Sequence, residues 1–150
     1  MSFEELLRKR AVEPVTVTPR EIAELLALSK RDIKASDAMI ATNLDWAFAI
    51  AYNGILQMSI AYMNFLGYRP RGEGKHFNTF RFMEEALPED AQMIRRLQKL
   101  RKKRNITLYE QSGLVSEKEA LDVVQFAARY YEAIAAKLPV EITDQVPEED

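Results

Sequence analysis

The side chains best equipped for chemistry gather at the end of a basic run. Between Arg95 and Arg104 seven of ten residues are cationic, namely Arg95, Arg96, Lys99, Arg101, Lys102, Lys103 and Arg104, and none is acidic. The run leads into Arg104-Asn105-Ile106-Thr107-Leu108-Tyr109. A guanidinium presents a planar fork matched to phosphate, an amide orients a hydroxyl, and a phenol adds a hydroxyl and a stacking face. A plainer reading stands beside this one. Charge runs on helices are mostly solvated faces, Asn105 can be a helix-end residue, and Tyr109 can pack on its own helix bundle.

Five further positions invite the same weighing. His76, the only histidine, sits in Gly74-Lys75-His76-Phe77 close in sequence to the cations Arg69 and Arg71. An imidazole titrates near neutrality, so it can face a phosphate or serve as a helix-entry residue. Asp45 opens an uncharged stretch and either complements the helix dipole or partners Arg104. Asn53, Gln57 and Asn64 fall within about 40° of one another on a helix and read first as a hydrogen-bonded seam between helices or protomers.

Other chemistries are excluded by composition. With no cysteine among 150 residues there is no thiolate nucleophile, disulfide or Cys-ligated metal. A single histidine excludes a His-based metal site within one chain. No P-loop, Gly-x-Gly-x-x-Gly, Gly-x-Ser-x-Gly or His-Glu-x-x-His occurs, and the one Glu-x-x-His, Glu73 to His76, lies in a glycine-rich loop. Neither a metal nor a cofactor is expected. The formal charge of −2 gives the whole molecule no strong pull on nucleic acid, so any such attraction must be local.

These residues need elements to hold them. Thr18-Pro19-Arg20-Glu21 is a helix start by three signals, and Ile22, Leu25, Leu26, Ser29 and Ile33 continue it on a helical period to about Ser36. A long apolar helix begins at Asn43 or Leu44 and ends by Gly67. A short helix spans Phe77 to Ala86, and another runs from about Pro88 to Leu108 with Ile94, Leu97 and Leu100 as its narrow apolar seam. Ser116-Glu117-Lys118-Glu119 is a capping box for a final helix striped by Leu121, Val124, Ala128, Tyr131, Ala135 and Leu138. Nothing requires a strand, and the residues before Pro19 read as a loose segment. The fold class is therefore all-α: an up-down bundle of about four main helices plus a short one, over residues 1–138, with an acidic mobile tail at 139–150.

The 21 uncharged residues from Trp46 to Leu66 are long enough to span a bilayer, yet they carry Asn53, Gln57 and Asn64 and lack interfacial flanks at both ends. A helix buried in a bundle or a dimer interface is expected instead, with no membrane association. Charges where a secretory signal needs its apolar run, together with the absence of cysteine, point to the cytoplasm.

The segment Asp45-Trp46-Ala47-Phe48-Ala49-Ile50-Ala51-Tyr52-Asn53-Gly54, then Gly67-Tyr68-Arg69-Pro70-Arg71-Gly72 and His76, then Leu100-Arg101-Lys102-Lys103-Arg104-Asn105 and Tyr109, resembles the HEPN (higher eukaryotes and prokaryotes nucleotide-binding) family. The resemblance covers about Pro19 to Leu138. It implies an α-helical bundle, commonly a homodimer, with a role in RNA biology. Many members are metal-independent ribonucleases, often toxins encoded beside a minimal nucleotidyltransferase antitoxin, and their motif is Arg, a polar residue, and His four to six residues after the Arg. Arg104 and Asn105 match the first two elements, whereas Leu108, Tyr109 and Glu110, or Gln111 with a longer spacing, stand where the histidine belongs. A tyrosine is a poor base at pH 7, so binding survives this departure more readily than catalysis. By resemblance Tyr109 is also a candidate acceptor for nucleotidylation by the partner. The reading is thus of an RNA- or nucleotide-binding protein with Arg104, Asn105 and Tyr109 as candidate catalytic residues. Asp45, Asn53, Arg69, Arg71, His76, Arg101 and Lys102 are the candidate contacts to RNA or nucleotide. The alternative is a non-catalytic binding module or a helical protein-interaction domain.

Overall fold

The computed structural model describes residues 2–107 and 112–148. Helix α2 (Pro19–Met39) starts at the Thr18 capping box, in which Thr18 Oγ1 accepts from Glu21 N and Thr18 N donates to Glu21 Oε1. Helix α3 (Leu44–Phe65) starts at Asn43, whose Oδ1 accepts from Trp46 N. A connection of a few residues folds α3 back along α2. Gly54 permits their close approach: a Cβ there would lie 2.8 Å from Ile33 Cγ1 and 3.3 Å from Ser29 O, and in its absence Ser29 Oγ donates to Gly54 O at 2.7 Å.

Helix α4 (Lys75–Ala86) and helix α5 (Ala91–Asn105), separated by a 3₁₀ turn at Pro88–Asp90, pack together against one flank of α3. Helix α6 (Glu117–Ala135), opened by the Ser116 capping box, covers another flank. Twelve of the 22 residues of α3 are buried, which makes it the axis of the core. Its polar Ser59 is accommodated by donating to Ile55 O at 3.0 Å, so the 2.7 Å contact with Tyr130 must have the tyrosine hydroxyl as donor. The all-α class is what the chain adopts. Among the described residues, no helix is long and apolar enough to cross a membrane.

Four local features differ from the sequence reading. The segment before Pro19 contains helix α1 (Phe3–Arg8), which buries Leu6, and strand β1 (Val12–Pro14), which pairs antiparallel with β2 (Tyr68–Pro70). Six and three residues are too few for a periodic signal, and the pairing joins positions far apart in sequence. The helix expected from Pro88 begins at Ala91, after the proline turn. The stripe on α6 is turned relative to the expected one, so that Leu121 is exposed while Val123, Ala127, Tyr130 and Ile134 are buried. The acidic tail begins with helix α7 (Val140–Thr143), whose Ile142 is buried and which packs on α2. Two isolated apolar residues, Ile142 and Val146, suffice to dock it.

Candidate functional site

The basic run lies on α5, and three of its cations occupy the last turn, where they also complement the negative end of the helix dipole. Arg104 folds inward and rests its guanidinium carbon 5.4 Å from the centre of the Tyr52 ring, with Nη1 donating to Asn105 Oδ1 at 3.3 Å. Tyr52 comes from the middle of α3, is almost wholly buried, and is braced edge-on by Phe80 of α4. Its hydroxyl meets His76 Nδ1 at 3.0 Å. One tyrosine therefore touches the sequence's only imidazole through its hydroxyl and Arg104 through its face.

Helix α4 delivers His76 in its first turn. Gly74 precedes it at φ 70°, a left-handed conformation suited to glycine, and leaves the helix start without a side-chain cap. Arg101, one turn before Arg104, lies 5.4 Å from the centre of the Phe77 ring and donates from Nε to Gln98 Oε1 at 2.8 Å, while Gln98 donates to Phe77 O. Phe77 thus ties the α4 start to α5. Among the described residues, Arg101 has no carboxylate in ion-pair reach.

Electrostatics follow from this packing. Burial, then the nearby Arg104 and Arg101 charges, lowers the His76 pKa from its ordinary value, favouring neutral imidazole at pH 7. Burial raises the Tyr52 pKa well above the usual phenol range, keeping its hydroxyl protonated. Two tautomers fit. Either Tyr52 donates to a bare Nδ1 and leaves Nε2–H as a donor, or Nδ1–H donates to Tyr52 Oη and leaves Nε2 basic.

The remaining candidates divide. Asn53 lies beside Arg104 on a groove between α2, α3 and the α5 end, and donates from Nδ2 to Asp32 Oδ2 at 3.0 Å. Lys102 is exposed on the opposite side of its turn from the core seam. Arg69 and Arg71 are held by one carboxylate on the β ribbon, Glu13, at 2.6 and 3.3 Å. Asp45 Oδ2 accepts from Gly113 N at 2.7 Å, so it braces the α5–α6 connection where a partnership with Arg104 was one of its two readings. Tyr109 lies outside the described residues.

Sequence reasoning passed over Tyr52, Asp32 and Trp46. The available signal for Tyr52 was a phenol inside an apolar helix, whose hydroxyl must find a partner. For Trp46 it was a large aromatic on the same face as Asn53, two helical turns away. No group of three potential metal ligands occurs among the described residues. No protein-family model, curated protein or solved structure matches the chain.

Proposed function

We propose that the protein is a HEPN-like RNA-binding protein that holds a backbone phosphate at Arg104, with His76, which does not occupy the family's motif position, replacing the missing motif histidine as base. The observation that carries this reading is the Tyr52 bridge, which touches both His76 and the Arg104 guanidinium. The uncapped α4 start and Arg101 add donors and positive charge beside His76.

The arrangement suits metal-independent cleavage. In the tautomer with Nε2 basic, His76 takes the ribose 2′-hydroxyl proton as the 2′ oxygen bonds to phosphorus. The bond from phosphorus to the 5′ oxygen breaks, and that oxygen takes a proton from water or from the imidazolium just formed. The products are a 2′,3′-cyclic phosphate and a 5′-hydroxyl. Arg104 stabilises the charge on the pentavalent phosphorane, a contribution of about 100- to 1,000-fold in comparable donors. Tyr52 holds the imidazole ring in place. The proposed setting, from the same resemblance, is a cytoplasmic toxin paired with a nucleotidyltransferase antitoxin.

The deciding experiment incubates the protein with total RNA in EDTA and maps the ends. Cyclic phosphate ends that vanish in His76→Gln and Arg104→Ala support the reading. RNA retention without cleavage, abolished by Arg104→Ala, favours the non-catalytic module. Neither binding nor cleavage overturns the proposal.

A further inference from the structure

The α2–α3 hairpin and the end of α5 form an open groove of about 300 Å³, lined by Asp32, Trp46, Ala49, Ile50, Asn53 and Arg104 among others. That volume is at the lower end for small-molecule sites and suits one nucleotide unit. We propose that this groove is a nucleobase subsite, in which Trp46 stacks on the base, the Asn53 amide reads its edge, and Arg104 takes the attached phosphate. The proposal rests on the phosphate reading of Arg104 given above.

Three observations on different residues carry it. Trp46 is 54% exposed although it belongs to the most buried helix of the molecule, so its indole face is available beside the apolar Ala49 and Ile50. Aromatic faces of this kind bind bases with little preference among them. Asp32 is only 8% exposed and is paired with Arg31 at 3.0 Å as well as with Asn53. A carboxylate only accepts, so Asn53 must turn Nδ2 toward it, which fixes the amide and leaves Oδ1 and a second N–H for a ligand. An acceptor and a donor on one amide complement the paired donor and acceptor atoms on a base edge. Arg104 lines the same groove and supplies it with a cation of the kind that binds phosphate.

Trp46 is the only tryptophan, so its emission reports the subsite directly. The intact protein is titrated with the 5′-monophosphates of adenosine, cytidine, guanosine and uridine, and in parallel with ribose 5-phosphate and inorganic phosphate. Saturable quenching by the nucleotides, with ribose 5-phosphate bound at least roughly tenfold more weakly and leaving emission unchanged, is the expected result. Asn53→Ala should weaken nucleotides by roughly fivefold or more and leave ribose 5-phosphate affinity alone. The substitution is tolerable because Asn53 is exposed and Asp32 keeps Arg31. By calorimetry, Trp46→Leu should erase the advantage of nucleotides over ribose 5-phosphate. Equal affinity for nucleotides and ribose 5-phosphate, both lost in Arg104→Ala, overturns the subsite and spares the phosphate reading. Nucleotide quenching undiminished in Arg104→Ala upholds the base contacts and overturns the phosphate reading. Emission that responds to protein concentration and to no nucleotide overturns the subsite in favour of a second copy of the chain.

Discussion

Tyr52 serves two neighbours at once, and each can be tested separately. Arg104 packs on its ring, while Arg96, two turns earlier on α5, lies over Phe126 of α6. If Arg104 contacts phosphate, Arg104→Ala should weaken RNA binding by about 1–3 kcal/mol, whereas Lys99→Ala, at an exposed position, should mainly flatten the salt dependence. Lysine at 104 should not restore full binding, since a point charge lacks the fork; filter binding at two salt concentrations reads both effects. His76 supplies a pH test. Its folded pKa is lowered, so near and below pH 6.5 the unfolded chain binds more protons than the folded one, and stability falls as pH drops from 6.5 toward the folded value. Urea unfolding of the wild type should therefore weaken from pH 7 to pH 5.5 more than that of His76→Gln. Any cleavage should share this direction, with an acid limb centred below pH 6.5.

At the scale of elements, the capping signals were the most legible part of the sequence. Thr18 and Ser116 each form the reciprocal box that their sequences spell, and α3 occupies the interval bounded by Asn43 and Gly67. Such signals are local, so nothing distant can mask them. Ser116→Ala should cost about 1 kcal/mol in thermal unfolding, since it removes the hydroxyl acceptor for Glu119 N. What the sequence concealed was which helix faces meet. Gly54 looked like one small residue in an apolar run, yet it sets the α2–α3 distance. Gly54→Ala should be destabilising, because overpacking against Ile33 and Ser29 O costs about 1–3 kcal/mol, against a gain of about 1 kcal/mol in helix propensity. The site divides in the same way. That Arg104 and Asn105 lie together was legible, because they are neighbours in sequence. The approach of His76 to Tyr52 was not, because it depends on α4 folding back onto α3 across 24 positions of sequence.

For the whole molecule, one stripe of α3 is left at the surface. Beyond the groove it continues through Gln57, Ile60 and Asn64, none of them fully buried, and Gln57 Oε1 and Asn64 Oδ1 are shielded without a hydrogen-bond partner. The half-exposed stripe, continuous along the central helix, is the surface that a second copy would cover. Light scattering at micromolar concentration should give twice the 17.3 kDa of the chain, and Ile60→Glu should return it to that mass. The β ribbon has a consequence of another kind. By joining Val12 to Pro70 it closes a long covalent loop containing all of α2 and α3. Closing such a loop costs chain entropy that a short ribbon, the Glu13 clasp and the burial of Leu6 and Val12 recover, whereas the α2–α3 hairpin closes a short connection, so the hairpin should form first and the ribbon close late. The same ribbon ends just before Gly72 and the turn that presents His76, with Arg71 N donating to Ala11 O. The N-terminal strand is thus the outermost tether of the imidazole. In native-state hydrogen exchange the amides of Val15 and Arg71 should open together at low free energy, with the start of α4 following them, while the amides of α3 exchange only on global unfolding.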